Sequence, residues 1–194
     1  MALFKIAHLI FRQRGNIPPL VIKLNLTMKR CFIVINYDYV MKTATFYIIE
    51  QSTSSDETTS AGLTVIERLA CRLAAESWRS GKRILVACDN QQQAEKLDEA
   101  LWQREPHQFV PHNLAGEGPR QGTPIELCWP GKRSNIARAL LINLQSQFAD
   151  FATAFHEVID FVPYDETEKQ LARERYKTYR NIGFNLTTQP APTV

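Results

Sequence analysis

The chain has 194 residues, of which 44% are hydrophobic and 22% charged, enough for one domain with a sizeable core. No stretch approaches the roughly 18 consecutive apolar residues that a membrane helix needs. The formal net charge is +3, but residues 1–40 hold six basic residues and one acid, leaving 17 basic and 19 acidic residues in the rest, so a general electrostatic grip on nucleic acid is excluded and any basic site must be a local patch.

The four cysteines, Cys31, Cys71, Cys88 and Cys128, lie far apart, and His8, His107, His112 and His156 add no metal-ligand spacing. Cys71 and Cys88 sit inside apolar runs and read as small core residues of a reducing compartment. A cytoplasmic protein without metal or cofactor is expected.

Residues 1–40 fit poorly with the rest of the chain. They contain Pro18-Pro19 and two short apolar patches, Leu3–Phe11 and Leu20–Leu26. A basic, apolar start raises the question of an export or organelle signal, but no small-residue cleavage site follows Phe11. Met41 opens directly onto an apolar strand pattern. Met41 is therefore expected to be the natural start, with residues 1–40 as upstream sequence; a genuine N-terminal arm is the alternative.

From Met41 the elements alternate. A strand over 44–49 leads into a Ser/Thr-rich loop, Gln51–Ser60. Gly62 precedes a long helix with Leu63, Ile66, Leu69, Ala70, Leu73 and Ala74 on its apolar stripe, ended by Ser80-Gly81. Arg83–Cys88 is nearly all apolar, as a parallel strand buried on both faces should be. Asp89 or Asn90 caps the next helix, about 91–103, with Ala94, Leu97, Ala100 and Leu101 inward. Phe109–Pro111 reads as a brief strand, Asn113–Thr123 as loop, Ile125–Trp129 and Ala139–Leu144 as strands, Phe148–Phe155 as a short helical piece and Glu157–Val162 as a strand. A last helix runs from about 165 to 181 and stops at Gly183. This pattern predicts one α/β domain over 41–188, three-layered and Rossmann-like with a mostly parallel sheet. A flexible tail, 189–194, would follow.

The last helix carries a charge contrast. Asp165, Glu166 and Glu168 precede Lys169, Arg173, Arg175, Lys177 and Arg180, the arrangement that the helix dipole favours. Helical spacing puts Lys169, Arg173, Tyr176, Lys177 and Arg180 on one side and turns Glu174 and Arg175 elsewhere. With an apolar floor from Phe161 and Val162, such a face suits a short acidic peptide with a hydrophobic anchor. It equally suits a solvated helix with ordinary dipole matching.

Catalytic chemistry finds little support. Gly116–Gly122 holds three glycines but lacks the Gly-Lys-Ser/Thr ending of a phosphate loop and a long helix immediately after it. The first βα loop has no glycine before Gly62, so the dinucleotide fingerprint is missing; a Ser/Thr contact to phosphate remains conceivable there. Asp89 stands at a strand's carboxyl end, where a ligand residue or a helix cap would stand. His112 and Glu117 have no identifiable nucleophile. Trp78, Trp102 and Trp129 lie beside polar residues and suit either base stacking or packing on the sheet. Trp102 and Phe109 flank a helix-to-strand turn with Pro106 between them and suit an exposed apolar anchor.

Six segments carry a family resemblance: Ala44–Tyr47, Ala74–Arg83, Leu97–Trp102, Phe109–Arg120, Phe148–Phe155 and Gln170–Lys177. Through them the chain, from Met41 to about Thr188, resembles the chi subunit of bacterial DNA polymerase III holoenzyme. The resemblance implies a nucleotide-binding-like α/β fold with no intrinsic catalytic site. It implies a replication accessory subunit that contributes to DNA-directed DNA polymerase activity only as part of the holoenzyme. It implies two partners: the psi subunit, through which it joins the clamp loader, and the acidic, Phe-ended C-terminal tail of single-stranded-DNA-binding protein. The tail site carries over to Val162, Lys169, Arg173, Tyr176 and Lys177, and the psi surface to Trp102 and Phe109. Little direct nucleic-acid binding is implied. Residues 1–40 have no counterpart, and the Gln51–Ala61 loop is longer than the resemblance leads one to expect.

Overall fold

A computed structural model describes residues 41–50, 62–103 and 109–192. The expectations for residues 1–40, for the Ser/Thr loop 51–61 and for Pro106 lie outside these. Among the described residues, one all-parallel sheet of seven strands organises the domain, in the order β3-β4-β2-β5-β6-β1-β7. The strands are β1 (Thr43–Ile48), β2 (Ile84–Ala87), β3 (His112–Leu114), β4 (Ile125–Cys128), β5 (Leu140–Asn143), β6 (Glu157–Val162) and β7 (Asn185–Pro190). Helices α1 (Val65–Arg79), α2 (Gln91–Trp102) and α3 (Glu166–Asn181), with a 3-10 turn at Asp150–Ala154, supply the outer layers.

The expected three layers are present. On one face, Leu69, Leu73 and Ala74 of α1 and Ala94, Leu97 and Leu101 of α2 pack with Ile84, Val86, Ile125, Ile142, Ile159 and Phe161. On the other, Ala152, Phe155 and Tyr179 pack with Phe46, Leu85, Leu141 and Val158. Every residue of β2, β4 and β5 is buried; β2 is all apolar and β5 apolar up to Asn143, as strands covered on both faces should be, whereas β4 carries the buried Glu126.

The caps follow local chemistry. Thr64 and Glu67 close a reciprocal capping box on α1. Asn90, not Asp89, caps α2 by accepting from Gln93 N at 2.9 Å. Asp165 caps α3 by accepting from Thr167 N and Glu168 N. Glu67 also ties the first two helices together, accepting from Gln93 Nε2 at 3.1 Å and pairing with Lys96 at 3.5 Å.

Three boundaries differ from the sequence expectations. The strand expected at Phe109–Pro111 forms instead at His112–Leu114, claiming Asn113 and Leu114 from the expected loop. Pro111 has no N–H to give to a ladder; it only accepts, from Ile125 N at 3.3 Å. The domain does not end at Thr188: β7 continues through Gln189 and Pro190, and Ala191 N still donates to Ile48 O at 2.9 Å. Among the described residues β7 pairs only with β1, so it is an edge strand of the sheet they form, where a proline is tolerated. Phe161 is the third. Side chains alternate along β6, so Phe161 packs on the α1/α2 face while Val162 packs on the α3 face. Phe161 therefore forms no floor for the cationic face of α3.

β4 places Glu126 on the side away from α1 and α2, where Ser134 and Arg138 cover it. Its carboxylate accepts from Ser134 N at 3.0 Å, Ser134 Oγ at 2.6 Å and Arg138 Nη2 at 2.7 Å. Burial alone would raise the Glu126 carboxyl, but these hydrogen bonds and the guanidinium win and hold it below the ordinary glutamate value. Glu67 behaves alike: burial is outweighed by hydrogen bonds from Thr64 and Gln93 and by the charge of Lys96.

A carboxyl with a depressed folded value stabilises the fold above its unfolded value and loses that contribution as pH falls through the folded one. Unfolding titrations should therefore show stability dropping as pH falls below the ordinary glutamate value of 4.5. Glu126→Gln should be less stable at neutral pH and flatten this acid limb. An acid limb unchanged in E126Q would contradict the assignment.

Candidate functional site

Helix α3 presents two chemically opposite sides. Arg175 points into the protein and is buried against the sheet. Its Nε and Nη2 donate to Asp160 at 3.0 and 2.8 Å, its Nη1 to Ser146 O at 2.8 Å and its Nη2 to Phe161 O at 3.1 Å. Asp160 also accepts from Asn143 Nδ2 at 3.1 Å and from Phe161 N at 2.7 Å. Burial acts against the Arg175 charge, but the Asp160 carboxylate more than offsets it and moves the guanidinium up. Tyr179, one turn on, stands in a ring cluster with Phe46, Phe148 and Phe184 at 5.0–5.9 Å between centroids. These contacts fix the rotation of α3 about its axis.

With Arg175 and Tyr179 inward, Lys169, Arg173, Tyr176 and Lys177 fall together along the outer side, as their spacing predicts. Arg173 and Lys177 are exposed. Tyr176 is half-buried, its ring edge-on to Phe46 at 5.1 Å. Val162 packs half-buried against the same core as Tyr176. Of the sequence-predicted residues, Lys169, Arg173, Tyr176 and Lys177 thus share one side of α3, and Val162 packs on the core cluster that Tyr176 also borders.

Glu166, read from the sequence only as a first-turn acid, also belongs to that side of the helix. Its carboxylate accepts from Lys169 Nζ at 3.0 Å and from Arg173 Nη1 at 2.8 Å. The two cations, Lys169 first, lower the Glu166 carboxyl. The i,i+3 and i,i+7 spacing was the available signal. Lys169 also lies 5.7 Å from the centre of the exposed Tyr164 ring, beside an open hollow of about 670 Å³ lined in part by Ile49, Ile66, Pro163 and Tyr164.

Across the sheet, Trp102 ends α2 and Phe109 precedes β3. They are 56% and 51% exposed, with ring centroids 5.7 Å apart. Two adjacent, half-exposed aromatics form the apolar platform expected from the sequence. Beneath them lies the buried His112 ring, 5.0 Å from Trp102.

The other candidate chemistry is taken up by packing. Gly116 has φ of 86°, a left-handed backbone conformation that side-chain-bearing residues rarely adopt, so the turn itself calls for glycine there. β2 and β5 are neighbours whose following segments leave over opposite faces of the sheet, a switch point of the kind where α/β folds bind ligands. The crevice there measures about 260 Å³. Its polar groups bind one another: Asp89 Oδ1 accepts from Ser146 N at 2.8 Å, and Gln145 Nε2 donates to Cys88 O at 3.0 Å. Asp89 is therefore a loop anchor. Burial pushes the Cys88 and Cys128 thiols up, Cys128 to about 12, so neither is a nucleophile at neutral pH. Among the described residues, no group of three or more His, Cys, Asp or Glu could hold a metal ion, and no helix is long and apolar enough to cross a membrane.

This is the architecture of a parallel α/β protein whose exposed features include a cationic helix face and an adjacent aromatic pair. The family model described as "DNA polymerase III chi subunit, HolC" matches residues 41–187. The DNA polymerase III subunit chi of Escherichia coli K12 is 60% identical over 148 residues, 76% of this chain and 97% of that protein. The subunit chi of Haemophilus influenzae is 51% identical over 148 residues, 76% of this chain and 96% of its own. That of Pseudomonas aeruginosa is 32% identical over 127 residues, 66% of this chain and 87% of its own. The chain belongs to the DNA polymerase III chi subunit family.

Removing Arg175 leaves a buried carboxylate without its counter-charge. Arg175→Ala should cost about 3–5 kcal/mol in urea unfolding, whereas Arg173→Ala, an exposed neighbour, should change stability by less than about 0.5 kcal/mol. Equal, small effects of the two variants would show that the pair does not hold the helix.

Proposed function

We propose that this protein is a non-catalytic replication accessory subunit. It bridges the clamp loader, joined through the psi subunit, and the acidic C-terminal tail of single-stranded-DNA-binding protein. Its place of work is the cytoplasm, and it contributes to DNA-directed DNA polymerase activity only as a component of the holoenzyme. No cofactor is required, and bare nucleic acid is bound weakly at most.

The observation that carries the tail site is the Glu166 carboxylate, gripped at once by Lys169 and Arg173. Two cations converge on one carboxylate without any rearrangement of the helix. A peptide tail presents that same group, on its acidic side chains and at its terminus. Arg173 can meet a carboxylate with two parallel hydrogen bonds, and Lys177 extends the cationic row by one turn. Val162 and the Tyr176 ring offer the terminal Phe an apolar seat, worth about 1.5–3 kcal/mol if fully buried. Trp102 and Phe109 are the psi-facing anchors. Large aromatics that stay half-exposed beside one another are typical of hot spots.

A nucleotide-dependent enzyme is the rival reading. The interlocked crevice and the packed glycine loop do not favour it. Calorimetric titration with ATP, GTP and NAD should give no saturable micromolar binding.

Fluorescence anisotropy with a labelled, Phe-ended acidic peptide tests the tail site. Binding should be micromolar and weaken with salt, because exposed charges are screened. Arg173→Glu, or deletion of the peptide's last Phe, should reduce affinity at least about tenfold. Glu166→Gln should raise it a few-fold by removing the internal competitor. Unchanged affinity in R173E would place the site elsewhere.

For the second surface, Trp102→Ala should cost about 2 kcal/mol or more in psi binding with little change in melting temperature. Full psi affinity in a folded W102A would refute that anchor.

A further inference from the structure

We infer that the apolar end of the peptide tail is seated on a row of side chains crossing three strands, Val162 of β6, Ile48 of β1 and Pro190 of β7, which makes Ile48 and Pro190 further binding residues of the tail site. This seat rests on the tail reading above, of which it specifies the apolar half.

The row follows from register and alternation. Ile48 is paired with Val162 on one side and with Pro190 on the other, so the three stand abreast on strands about 4.8 Å apart. They also share a face. Val162 packs toward α3. Tyr47 and Ile49 both pack toward α1 and α2, and alternation sends Ile48, between them, the other way. Leu186 packs toward α3 and Ala191 toward α1 and α2, which places Pro190 on the α3 side as well. The row supplies the floor that Phe161, facing the opposite way, does not.

β6 and β1 are inner strands of the sheet, and apolar side chains of inner parallel strands are normally covered on both faces. Val162 and Ile48 are nonetheless only half-buried, and Pro190 is exposed. α3 explains the gap. It joins two parallel strands and therefore runs antiparallel to them. Tyr176 stands edge-on to Phe46 at 5.1 Å. Residues three to seven places before Tyr176 lie about 4.5–10.5 Å nearer the carboxyl end of the sheet. Ile48, two residues beyond Phe46, lies about 6.6 Å in the same direction. On its inward side this stretch of α3 carries Ala172, 1% exposed, whose methyl is too short to cover the row. On its outer flank it carries Lys169 and Arg173. An apolar seat is thus bordered by two cations, the complement of a hydrophobic terminal residue that bears its own carboxylate.

The open hollow of about 670 Å³ beside Lys169 is the other apolar candidate. It borders the opposite face, since Ile49 and Ile66 belong with the α1 and α2 packing. Among the described residues, Asp165, Glu166 and Glu168 line it against the single ammonium of Lys169. Three carboxylates disfavour an acidic peptide, so the row across the strands is the better seat.

A double-mutant cycle on the full chain tests this, read by anisotropy with two labelled acidic peptides, one ending in Phe and one in Ala. Ile48→Ala should weaken binding of the Phe-ended peptide about five- to tenfold and leave the Ala-ended peptide unchanged. Ile48→Leu should restore most of the loss, and Pro190→Ser should cost about twofold. Ile66→Ala, in the hollow, should stay within about twofold of wild type. In the wild-type protein the Ile48 methyl signals should move with the Phe-ended peptide and stay in place with the Ala-ended one, a readout that needs no variant to fold. Still Ile48 methyls, or equal losses of the two peptides in I48A, would overturn the seat while R173E still decides the tail site. A Phe-dependent loss in I66A but not in I48A would move the seat to the hollow. No saturable binding of either peptide by the wild type would sink the tail reading and the seat with it.

Discussion

The buried pair of Arg175 and Asp160 sets the orientation of the helix on which the cationic surface depends. A helix with bases on several sides has only a narrow apolar stripe, Ala172 and Tyr179, to choose its rotation on the sheet. Arg175 completes the choice. Its guanidinium reaches Asp160 in the middle of β6 and two main-chain carbonyls at the strand ends. Two ions buried from water are stabilising only when their remaining hydrogen-bonding groups are also met. Asn143 and the Phe161 amide meet those of Asp160. The pair therefore stabilises one orientation of α3 and penalises others, and the outer bases are aligned as a consequence.

The strand order separates the two exposed surfaces. α2 packs on β3 and β4 at one end of the sheet, whereas α3 packs on β6 and β7 toward the other. Trp102 and Phe109 belong to the first end; the Lys169–Lys177 row belongs to the second. Between them stand β2 and β5, buried on both faces. A close-packed parallel sheet is a stiff spacer, so two ligands could occupy the two ends without meeting. The surfaces also differ in chemistry. One offers apolar area with a polar support beneath it, the other charge with an apolar margin.

The carboxyl edge of the sheet explains why a nucleotide-binding layout need not bind nucleotide. Its distinguishing residues are spent on internal contacts. Asp89 holds the Ser146 turn, Gln145 holds the end of β2, and Asn143 joins the Arg175 network. Gly116, which invites a phosphate-loop reading, is needed for the positive φ of the turn after β3. In each case a side chain or glycine that could serve a ligand serves the fold.

Local pattern alone determined much of this protein. The apolar runs of β2 and β5, the stripes of α1 and α2, and the acid-to-base gradient of α3 are short-range properties, and elements followed where they pointed. The spacing of Lys169, Arg173, Tyr176 and Lys177 likewise put them on one side before any packing was known. Tertiary structure decided what spacing cannot carry. β7 has only a weak pattern, Asn185–Pro190, because an edge strand buries little; its strand character comes from the ladder with β1. Phe161 and Val162 are adjacent in sequence yet serve opposite faces, since a strand alternates. Spacing turned Arg175 away from the outer bases, but its partner, Asp160, fifteen residues away, is set by the packing of α3 on β6. The same holds for His112 and Asp98, whose shared contact exists only where β3 lies beside α2. Periodicity describes one element at a time; ion pairs and platforms are made between elements, and distance in space settles them.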